Sequence, residues 1–202
     1  MSDQNGAGGR QDGLLFLLVG PSGAGKNRLI SEVQPRIPDL SQMPTATTRP
    51  PRSNETHGVQ HFFLSDEEFD RLEREGAFAE CQVVHFWRYG MILSVVEQAL
   101  RAGHDHIADV DVLGAQALRS AFPEHVVLIF VSASRETLER RLRARGNIDE
   151  HEIQTRLRRA EFECQYAEQC DYRVENNDLG TAVEQVMAAI RTERRRRKVA
   201  NG

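Results

Sequence analysis

The chain has 202 residues, of which 40% are hydrophobic and 28% charged, and its formal net charge is -4 at pH 7. This length and composition fit one globular domain that buries its own core and has room for inserted subdomains. The acidic balance excludes a globally basic nucleic-acid binder. The three cysteines, Cys81, Cys164 and Cys170, form no CxxC pair and no closed disulfide framework, which favours a reducing cytoplasm.

The apolar runs are too short for a membrane protein. The longest, at 14–19 and 126–131, each have six residues, whereas a membrane span needs about 18 to 20. Residues 1–12 have neither the basic start nor the apolar core of a secretory signal, so we expect a disordered leader there. The sequence therefore predicts a cytoplasmic protein without membrane or nucleic-acid partners.

Apolar strands alternate with amphipathic helices along the chain. Residues 14–19 and 126–131 are bounded by turn residues and are typical of parallel strands buried on both faces, and 106–110 is a third candidate. Helical stripes of apolar residues occupy 92–100 and 179–190. This alternation predicts a doubly wound α/β core.

Two segments interrupt the alternation. Residues 43–90 combine polar, aromatic and β-branched stretches with one short helix, which starts at a capping box of Ser65 and Glu68 and ends at Gly76. We interpret this segment as an inserted subdomain. Residues 140–159 form a second interruption, with many arginines on helical sequence around a loop.

The segment GPSGAGK at 20–26 has the spacing of a phosphate-binding loop between a strand and a helix. Its glycines let backbone N–H groups converge on phosphate oxygens, and the helix N-terminus favours anions. Lys26, one of only two lysines in the chain, would reach the β- and γ-phosphates. The predicted ATP-binding residues here are Gly20, Pro21, Ser22, Gly23, Ala24, Gly25, Lys26, Asn27 and Arg28.

Asn27 departs from the usual loop, in which a Ser or Thr at this position places a hydroxyl on Mg²⁺. Two interpretations stay open. The Asn27 amide oxygen holds the metal, directly or through water, or Asn27 only caps the helix while nucleotide and water hold the metal. We expect Mg²⁺ as the cofactor in either case.

Further motifs follow in a fixed order. They are TATTRPPR at 45–52, E-x-x-G-x-x-H-F-F at 55–63, SDEEF at 65–69, Glu80, Tyr89-Gly90, DVD at 109–111, RRLRARG at 140–146 and NND at 176–178. Over about residues 14–192 this set resembles the guanylate kinase family. The resemblance implies a P-loop NTPase fold with a five-stranded parallel core and a domain at 13–192. It also implies an NMP-binding insertion at about 43–90, a helical lid at about 140–157 and a basic tail at 193–202.

The resemblance implies transfer of the γ-phosphoryl group of ATP to GMP or dGMP, giving ADP and GDP. The acceptor oxygen is already anionic, so positioning and charge neutralisation suffice without a strong general base. The implied catalytic residues are Lys26, Arg49, Arg141, Arg145 and Arg156, and Asn176 joins the ATP site.

The implied GMP site has a phosphate end and a base end. By resemblance, Arg49 and Arg52 hold the acceptor phosphate with their guanidinium forks, and Tyr89 donates its hydroxyl to it. His61 stands where the family usually has a Tyr. It can still donate to phosphate, and protonation would strengthen that contact.

At the base end, Glu80 accepts from guanine N1–H and the 2-amino group, a match that adenine cannot offer. Thr45 donates to O6, and Asp111 lies near the 2-amino group. Met91 replaces the usual Ser or Thr and cannot donate, so we expect weaker discrimination for guanine. Asp109 is implied to orient metal-bound water.

Two alternatives stay open. Asn27 and the NND motif are also similar to ribose 1,5-bisphosphate phosphokinases, although Glu80 and the Arg49–Arg52 pair favour a nucleotide acceptor. The second alternative is a non-catalytic guanylate kinase-like module, although such modules typically lose the glycines and the lysine of the phosphate loop. Either a monomer or a homodimer is compatible with the sequence.

Several basic residues have a plainer interpretation. We expect Arg143, Arg158 and Arg159 to lie on a solvated helix face, and the run at 194–198 to form a solvated helix end beyond the fold.

Overall fold

A computed structural model describes residues 12–53, 55–84, 86–144 and 149–200. The described elements, in chain order, are β1 (Leu15–Val19), α1 (Lys26–Val33), β2 (Leu40–Gln42), β3 (Thr45–Thr47), β4 (His61–Phe63), α2 (Asp66–Arg74), β5 (Phe78–Val84), β6 (Trp87–Ile92), α3 (Leu93–Arg101), β7 (Asp105–Asp109), α4 (Val112–Ala121), β8 (Val126–Ser132), α5 (Arg135–Ala144), α6 (Glu150–Cys164), β9 (Tyr172–Glu175) and α7 (Leu179–Ala200). Among them, no helix has both the length and the apolar character that crossing a membrane requires.

A five-stranded parallel sheet forms the centre of the molecule, in the order β2-β7-β1-β8-β9. Every residue of β1 is buried because helices cover both faces of the sheet. Phe16 and Leu18 point into one apolar cluster with α1 and α7, whereas Leu15 and Leu17 point into the other with α3 and α4. The predicted α/β fold with a five-stranded parallel core is confirmed.

A second sheet is built from residues 45–92, in the order β4-β3-β6-β5. β3 pairs with β4 in parallel and with β6 antiparallel, and β5 pairs antiparallel with β6. Helix α2 packs on this sheet by stacking Phe69 on Phe78, with ring centroids 4.4 Å apart. The predicted capping box of Ser65 and Glu68 starts α2, and Gly76 follows its end with a positive φ of 65°.

The end of the chain differs from the sequence expectation, because α7 continues to Ala200 and two of its last arginines are tied to the core. Asp105, only 4% exposed, accepts from Arg194 Nε at 2.6 Å and lies 3.1 Å from Arg197 Nη1. The same carboxylate accepts from the backbone N–H of Leu14 at 2.7 Å. A buried carboxylate at the start of β7 therefore holds arginines that charge patterning placed in solvent.

Candidate active site

The phosphate loop links β1 to α1 at the carboxyl edge of the central sheet, where parallel α/β folds bind ligands. Gly20 has a φ of 131°, and a Cβ there would lie 2.1 Å from the Val131 carbonyl oxygen of the neighbouring strand. Only glycine fits both the backbone conformation and this close approach. The loop therefore packs closely against β8.

Lys26 begins α1 and its ammonium lies within the loop. Its Nζ donates to the Gly20 carbonyl at 2.5 Å and lies 3.5 Å from Asp109 Oδ1, at the end of β7. The side chain is 12% exposed. An ammonium held between backbone carbonyls and a carboxylate is positioned where a polyphosphate would lie over the loop.

Asn176 and Arg141 support the loop from behind. Asn176 is 1% exposed and its side-chain amide donates to the Ala24 carbonyl at 2.7 Å. Arg141 Nη1 donates to the same carbonyl at 3.2 Å, and its Nη2 donates to the Asn176 carbonyl at 2.8 Å. In this arrangement both predicted ligand-binding side chains hold the loop backbone and do not line the cleft.

The predicted phosphate end of the acceptor site centres on Arg49, which is 9% exposed. Glu55 accepts from Arg49 Nη2 through both carboxylate oxygens, each at 2.9 Å, and also accepts from the Arg52 backbone N–H at 2.8 Å. Arg49 Nε donates to the Tyr89 hydroxyl at 3.3 Å. Glu55 thus fixes the Arg49 guanidinium and the turn that carries Arg52.

Thr45 and His61 form a pair beside this cluster, with 2.7 Å between Thr45 Oγ1 and His61 Nδ1. Burial, together with the neighbouring Arg49 charge, lowers the pKa of His61. The lowered pKa favours the neutral imidazole at pH 7, so the charged form that would strengthen a phosphate contact is disfavoured in the free protein. In the tautomer protonated at Nδ1, His61 donates to Thr45 and leaves the Thr45 hydroxyl hydrogen for a ligand.

The predicted base end lies where β5 meets the start of α4. Asp111 caps α4 by accepting from the Gly114 N–H at 2.9 Å. A Cβ at position 114 would lie 2.5 Å from Glu80 Oε2 and 3.0 Å from Gln82 Nε2, so the helix approaches both side chains closely. Burial and the like charge of Asp111 raise the pKa of Glu80 to about 7.

Met91 does not enter the cleft, unlike the sequence expectation. Its side chain is fully buried in the apolar cluster formed with Leu17, Val96 and Ala108. In β6 the residue pairs with Glu80 of β5, and a backbone hydrogen bond from Met91 acts on the Glu80 carboxylate. The strand pairing places Met91 directly opposite Glu80, but the Met91 side chain lies in the apolar cluster and does not line the cleft.

One cleft of about 590 Å³ joins the loop to these acceptor-side residues. Of the predicted site residues, those lining it are Gly20, Pro21, Ser22, Gly23, Gly25, Lys26, Asn27, Arg28, Thr45, Arg49, Arg52, His61, Glu80, Tyr89, Asp109, Asp111 and Arg156. Ala24 is a buried residue of the loop itself, Asn176 and Arg141 lie behind the loop, and Met91 lies in the core. Arg145 falls outside the described residues.

Some cleft residues carried no predicted role. They are Ser31, Gln42, Met43, Glu55, Gln60, Gln82, Val110, Arg159 and Glu163. The sequence spacing could have indicated the role of Glu55, since an acidic residue three positions after Arg52 and six after Arg49 can form an ion pair with either arginine. Arg159 had only its helical spacing of three from Arg156, which an arginine-rich solvated helix would also produce.

The donor set of the cleft fits a hard cation that keeps most of its ligands from nucleotide and water. No group of three or more His, Cys, Asp and Glu side chains suited to a metal occurs in the described part of the chain. Asn27 and Asp109 nevertheless bring an amide oxygen and a carboxylate to the loop end of the cleft. Mg²⁺ typically uses one or two protein oxygens beside substrate phosphates, so this set suits it.

Comparisons with known proteins agree with this geometry. The model of the family described as guanylate kinase matches residues 13–193. A guanylate kinase of Thermotoga maritima is 36% identical over 182 residues, covering 90% of this chain and 88% of that protein. The guanylate kinase of Chlorobium chlorochromatii is 40% identical over 179 residues, covering 88% and 94%.

A solved structure is also similar. The crystal structure of guanylate kinase from Anaplasma phagocytophilum superposes with a TM-score of 0.72 at 28% identity, covering 91% of this chain and 87% of that one. The match extends over both sheets, so the likeness is not confined to the phosphate loop. With its P-loop fold and its two-sided cleft, the chain belongs to the guanylate kinase family.

Proposed function

We propose that this chain transfers the γ-phosphoryl group of ATP to GMP, and to dGMP, giving ADP and GDP. One observation carries the proposal: the phosphate loop and the groups suited to guanine and its phosphate line the same cleft. Family membership supports the same reaction. An acceptor phosphate oxygen is already anionic, so catalysis needs alignment and charge neutralisation more than a general base.

The acceptor phosphate binds to Arg49 and Arg52 in this proposal. In the free protein, Glu55 accepts from Arg49 Nη2 and the Pro50 carbonyl accepts from Nη1 at 2.8 Å, which keeps the guanidinium at a fixed position. Tyr89, already hydrogen-bonded to Arg49 Nε, turns its hydroxyl hydrogen toward the same phosphate. A planar guanidinium held in this way matches phosphate oxygens at little conformational cost.

Guanine binds at Glu80. The carboxylate accepts from N1–H and the 2-amino group, Asp111 lies beside the 2-amino group, and Thr45 donates to O6. The buried position of Glu80 supports discrimination, since adenine would leave this carboxylate without donors in a desolvated pocket. Met91 takes no part in base contacts, because its side chain belongs to the core.

ATP binds on the loop side. Backbone N–H groups at 20–26 and Lys26 hold the phosphates, Asn27 and Asp109 hold Mg²⁺ directly or through water, and Arg156 faces the polyphosphate. When bound, the metal would supply neutralisation of phosphate charge. Arg141 and Asn176 act by fixing the loop carbonyls, as their contacts with Ala24 support. The role of Arg145 stays a prediction from the resemblance.

The two alternatives have weaker support. A sugar bisphosphate has no purine edge, so it would leave Glu80 and Asp111 without donors in the cleft. A non-catalytic module would not need Lys26 at the loop, where it pairs with Asp109. Neither alternative accounts for both ends of the cleft.

The organisation that accompanies this function is also part of the proposal. Residues 43–90 serve as the acceptor-binding insertion of a domain spanning 13–192, and 140–157 serve as the lid. Closure excludes water, which would otherwise hydrolyse ATP. We propose a cytoplasmic enzyme of purine nucleotide metabolism, either monomeric or homodimeric, with no nucleic-acid or membrane partner.

The decisive experiment is an ADP-release assay with Mg-ATP and a panel of acceptors. The panel contains GMP, dGMP, AMP, UMP and ribose 1,5-bisphosphate. We expect turnover with GMP and dGMP and far lower rates with the other three. Turnover with the sugar bisphosphate alone would assign the first alternative, and GMP binding without turnover of any acceptor would assign the second.

A further inference from the structure

Helix α6 presents one charged face to the cleft. Arg156, Arg159 and Glu163 lie at spacings of three and seven residues, so they share one side of the helix, and all three line the cleft. The adjacent side of the helix is anchored, because Ile153 and Leu157 are buried in the core of the central sheet. The orientation of the charged face is therefore fixed by the fold.

Arg159 holds a partner through only one of its donor groups. Its Nε donates to Glu163 Oε1 at 2.8 Å. Within the described residues, no hydrogen bond joins its Nη1 or Nη2 to another protein group. The guanidinium therefore keeps a pair of donors for a phosphate, in the fork geometry that matches two phosphate oxygens.

Solvent reaches the arginine of this ion pair much more than its carboxylate. The Arg159 side chain is 50% exposed, whereas that of Glu163 is 14% exposed. An ion pair that solvent screens at its arginine contributes less stability than a fully buried one, and charge-assisted hydrogen bonds to phosphate in a closed cleft contribute more. Phosphate oxygens can therefore displace the Glu163 carboxylate from Arg159.

The charges of the residues that line the cleft also support an exchange of Glu163 for phosphate at Arg159. Among the described lining residues, the cations are Lys26, Arg28, Arg49, Arg52, Arg156 and Arg159, and the carboxylates are Glu55, Glu80, Asp109, Asp111 and Glu163. The cleft is thus close to neutral before two polyanionic substrates enter it. Each cation that leaves a carboxylate for a phosphate offsets part of that added charge.

We propose that Arg159 is a phosphate-binding residue of the transfer reaction, which exchanges Glu163 for phosphate oxygens when both substrates are bound. The proposal rests on the proposed function and adds a cation that neither the motif resemblance nor the family assignment supplied. Glu163 is then a carboxylate that holds Arg159 beside the cleft until the phosphates arrive.

The test compares two neighbouring arginines. R159Q removes the charge that faces the cleft. R158Q is the matched control, since Arg158 is exposed, bonds only to Thr155 of its own helix and does not line the cleft. We expect kcat/KM for GMP to fall about tenfold in R159Q, as loss of one charge-assisted hydrogen bond in the transition state implies. R158Q should match the unmodified protein.

A binding measurement tests the role of Arg159 without requiring turnover. The probe is a bisubstrate ligand, adenosine and guanosine joined by a pentaphosphate, titrated by calorimetry. Its Kd should rise about tenfold in R159Q and stay unchanged in R158Q. Thermal denaturation of each variant separates a binding loss from unfolding.

The Glu163 variant tests the exchange itself. E163Q removes the competing carboxylate, so Kd for the bisubstrate ligand should fall by up to about fivefold, the equivalent of a partly exposed ion pair. Equal Kd and kcat/KM values in R159Q and R158Q would overturn the proposal, as would weaker ligand binding in E163Q. An unmodified protein inactive on every acceptor would instead refute the proposed function, and the calorimetric arm would still decide the role of Arg159.

Discussion

The two sides of the cleft are built in different ways. On the ATP side, a contiguous loop at 20–26 is fixed by backbone geometry on a strand with every residue buried. On the acceptor side, the groups come from several strands of a small sheet and from the cap of α4, and β4 is only half-buried. The first side depends on the conformation of a few consecutive residues, whereas the second depends on how separate elements pack together.

This difference predicts that the two sides can be damaged independently. The largest effect should come from Lys26→Ala, which removes the ammonium at the loop. We expect kcat to fall by about a hundredfold to a thousandfold, as for other preorganised charge contacts in transition states. The Kd for GMP, measured by calorimetry without ATP, should stay within about twofold.

Lys198→Ala is the matched control, since Lys198 is the only other lysine and lies in the last helix, away from the cleft. Its rate should equal that of the unmodified protein. A Lys26→Ala variant with a near-normal rate would contradict the loop assignment. A variant that also lost GMP binding would show that the two sides are not independent.

Stability should be concentrated in the central sheet, which carries the phosphate loop. Asp105→Asn leaves Arg194 and Arg197 without their charge partner at a buried position, so the free energy of unfolding should fall by about 3 kcal/mol. Urea denaturation measures this loss. Glu97→Gln, which breaks an exposed pair with Arg101, should change it by less than about 0.5 kcal/mol. Equal losses in the two variants would contradict the structural role of Asp105.

The acceptor side should be the pH-sensitive one. Glu80 has its pKa raised to about 7, so it is protonated below that pH and loses its capacity to accept from both guanine donors. We expect KM for GMP to be about tenfold higher at pH 6 than at pH 8, as one ionisation predicts. Steady-state kinetics across this range, repeated with Glu80→Gln to account for titration of GMP itself, give the test.

The contribution of Glu80 to folding stability should have the opposite pH dependence. It should be greatest at low pH, whereas GMP binding should be strongest at high pH. Because the folded pKa lies above the unfolded value of 4.5, folding favours the protonated carboxyl, and that contribution is lost as pH rises from about 4.5 to 7. Glu80→Gln should therefore unfold at higher urea than the unmodified protein at pH 8 and show a smaller difference at pH 5. A pH-independent difference would contradict the raised pKa.

The smallest expected effect concerns the second sheet. Arg88 pairs with Asp70 and Glu73 and lies over the Phe69 ring, with its guanidinium carbon 4.2 Å from the centroid. Both carboxylates are about half exposed, so Arg88→Met should lower the free energy of unfolding by only about 1 kcal/mol. Urea denaturation beside Asp105→Asn tests the ranking, which a loss as large as that of Asp105→Asn would reverse.

The sequence predicted the locally determined features of the molecule better than those that depend on the packing of separate elements. The runs at 14–19, 106–110 and 126–131 correspond to β1, β7 and β8 within one residue at each end, because buried parallel strands are continuous apolar segments. The short outer strands β2 and β9 have no such apolar run, so the sequence analysis did not predict them. The local capping box of α2 was also predictable, since its signal lies within four residues.

The remaining features depend on contacts between distant residues. Met91 is paired with Glu80 across β5 and β6, yet its side chain is buried in the apolar core, because packing of the sheet against its neighbours decides that environment. Arg158 and Arg159 are adjacent residues of the same type, yet only Arg159 lines the cleft. The buried residues of α6 fix the rotation of the helix about its axis and so decide which arginine faces the cleft. Such outcomes follow from packing, which a single sequence does not record.

The pairing of Asp105 with Arg194 bears on how the chain is made. The two partners are 89 residues apart, and Arg197 comes later still. During synthesis, a nascent sheet containing β1 and β7 would hold a desolvated, uncompensated carboxylate until α7 leaves the ribosome. The central sheet should therefore reach its final stability only after translation of α7, so that docking of this last helix acts as the closing step of folding.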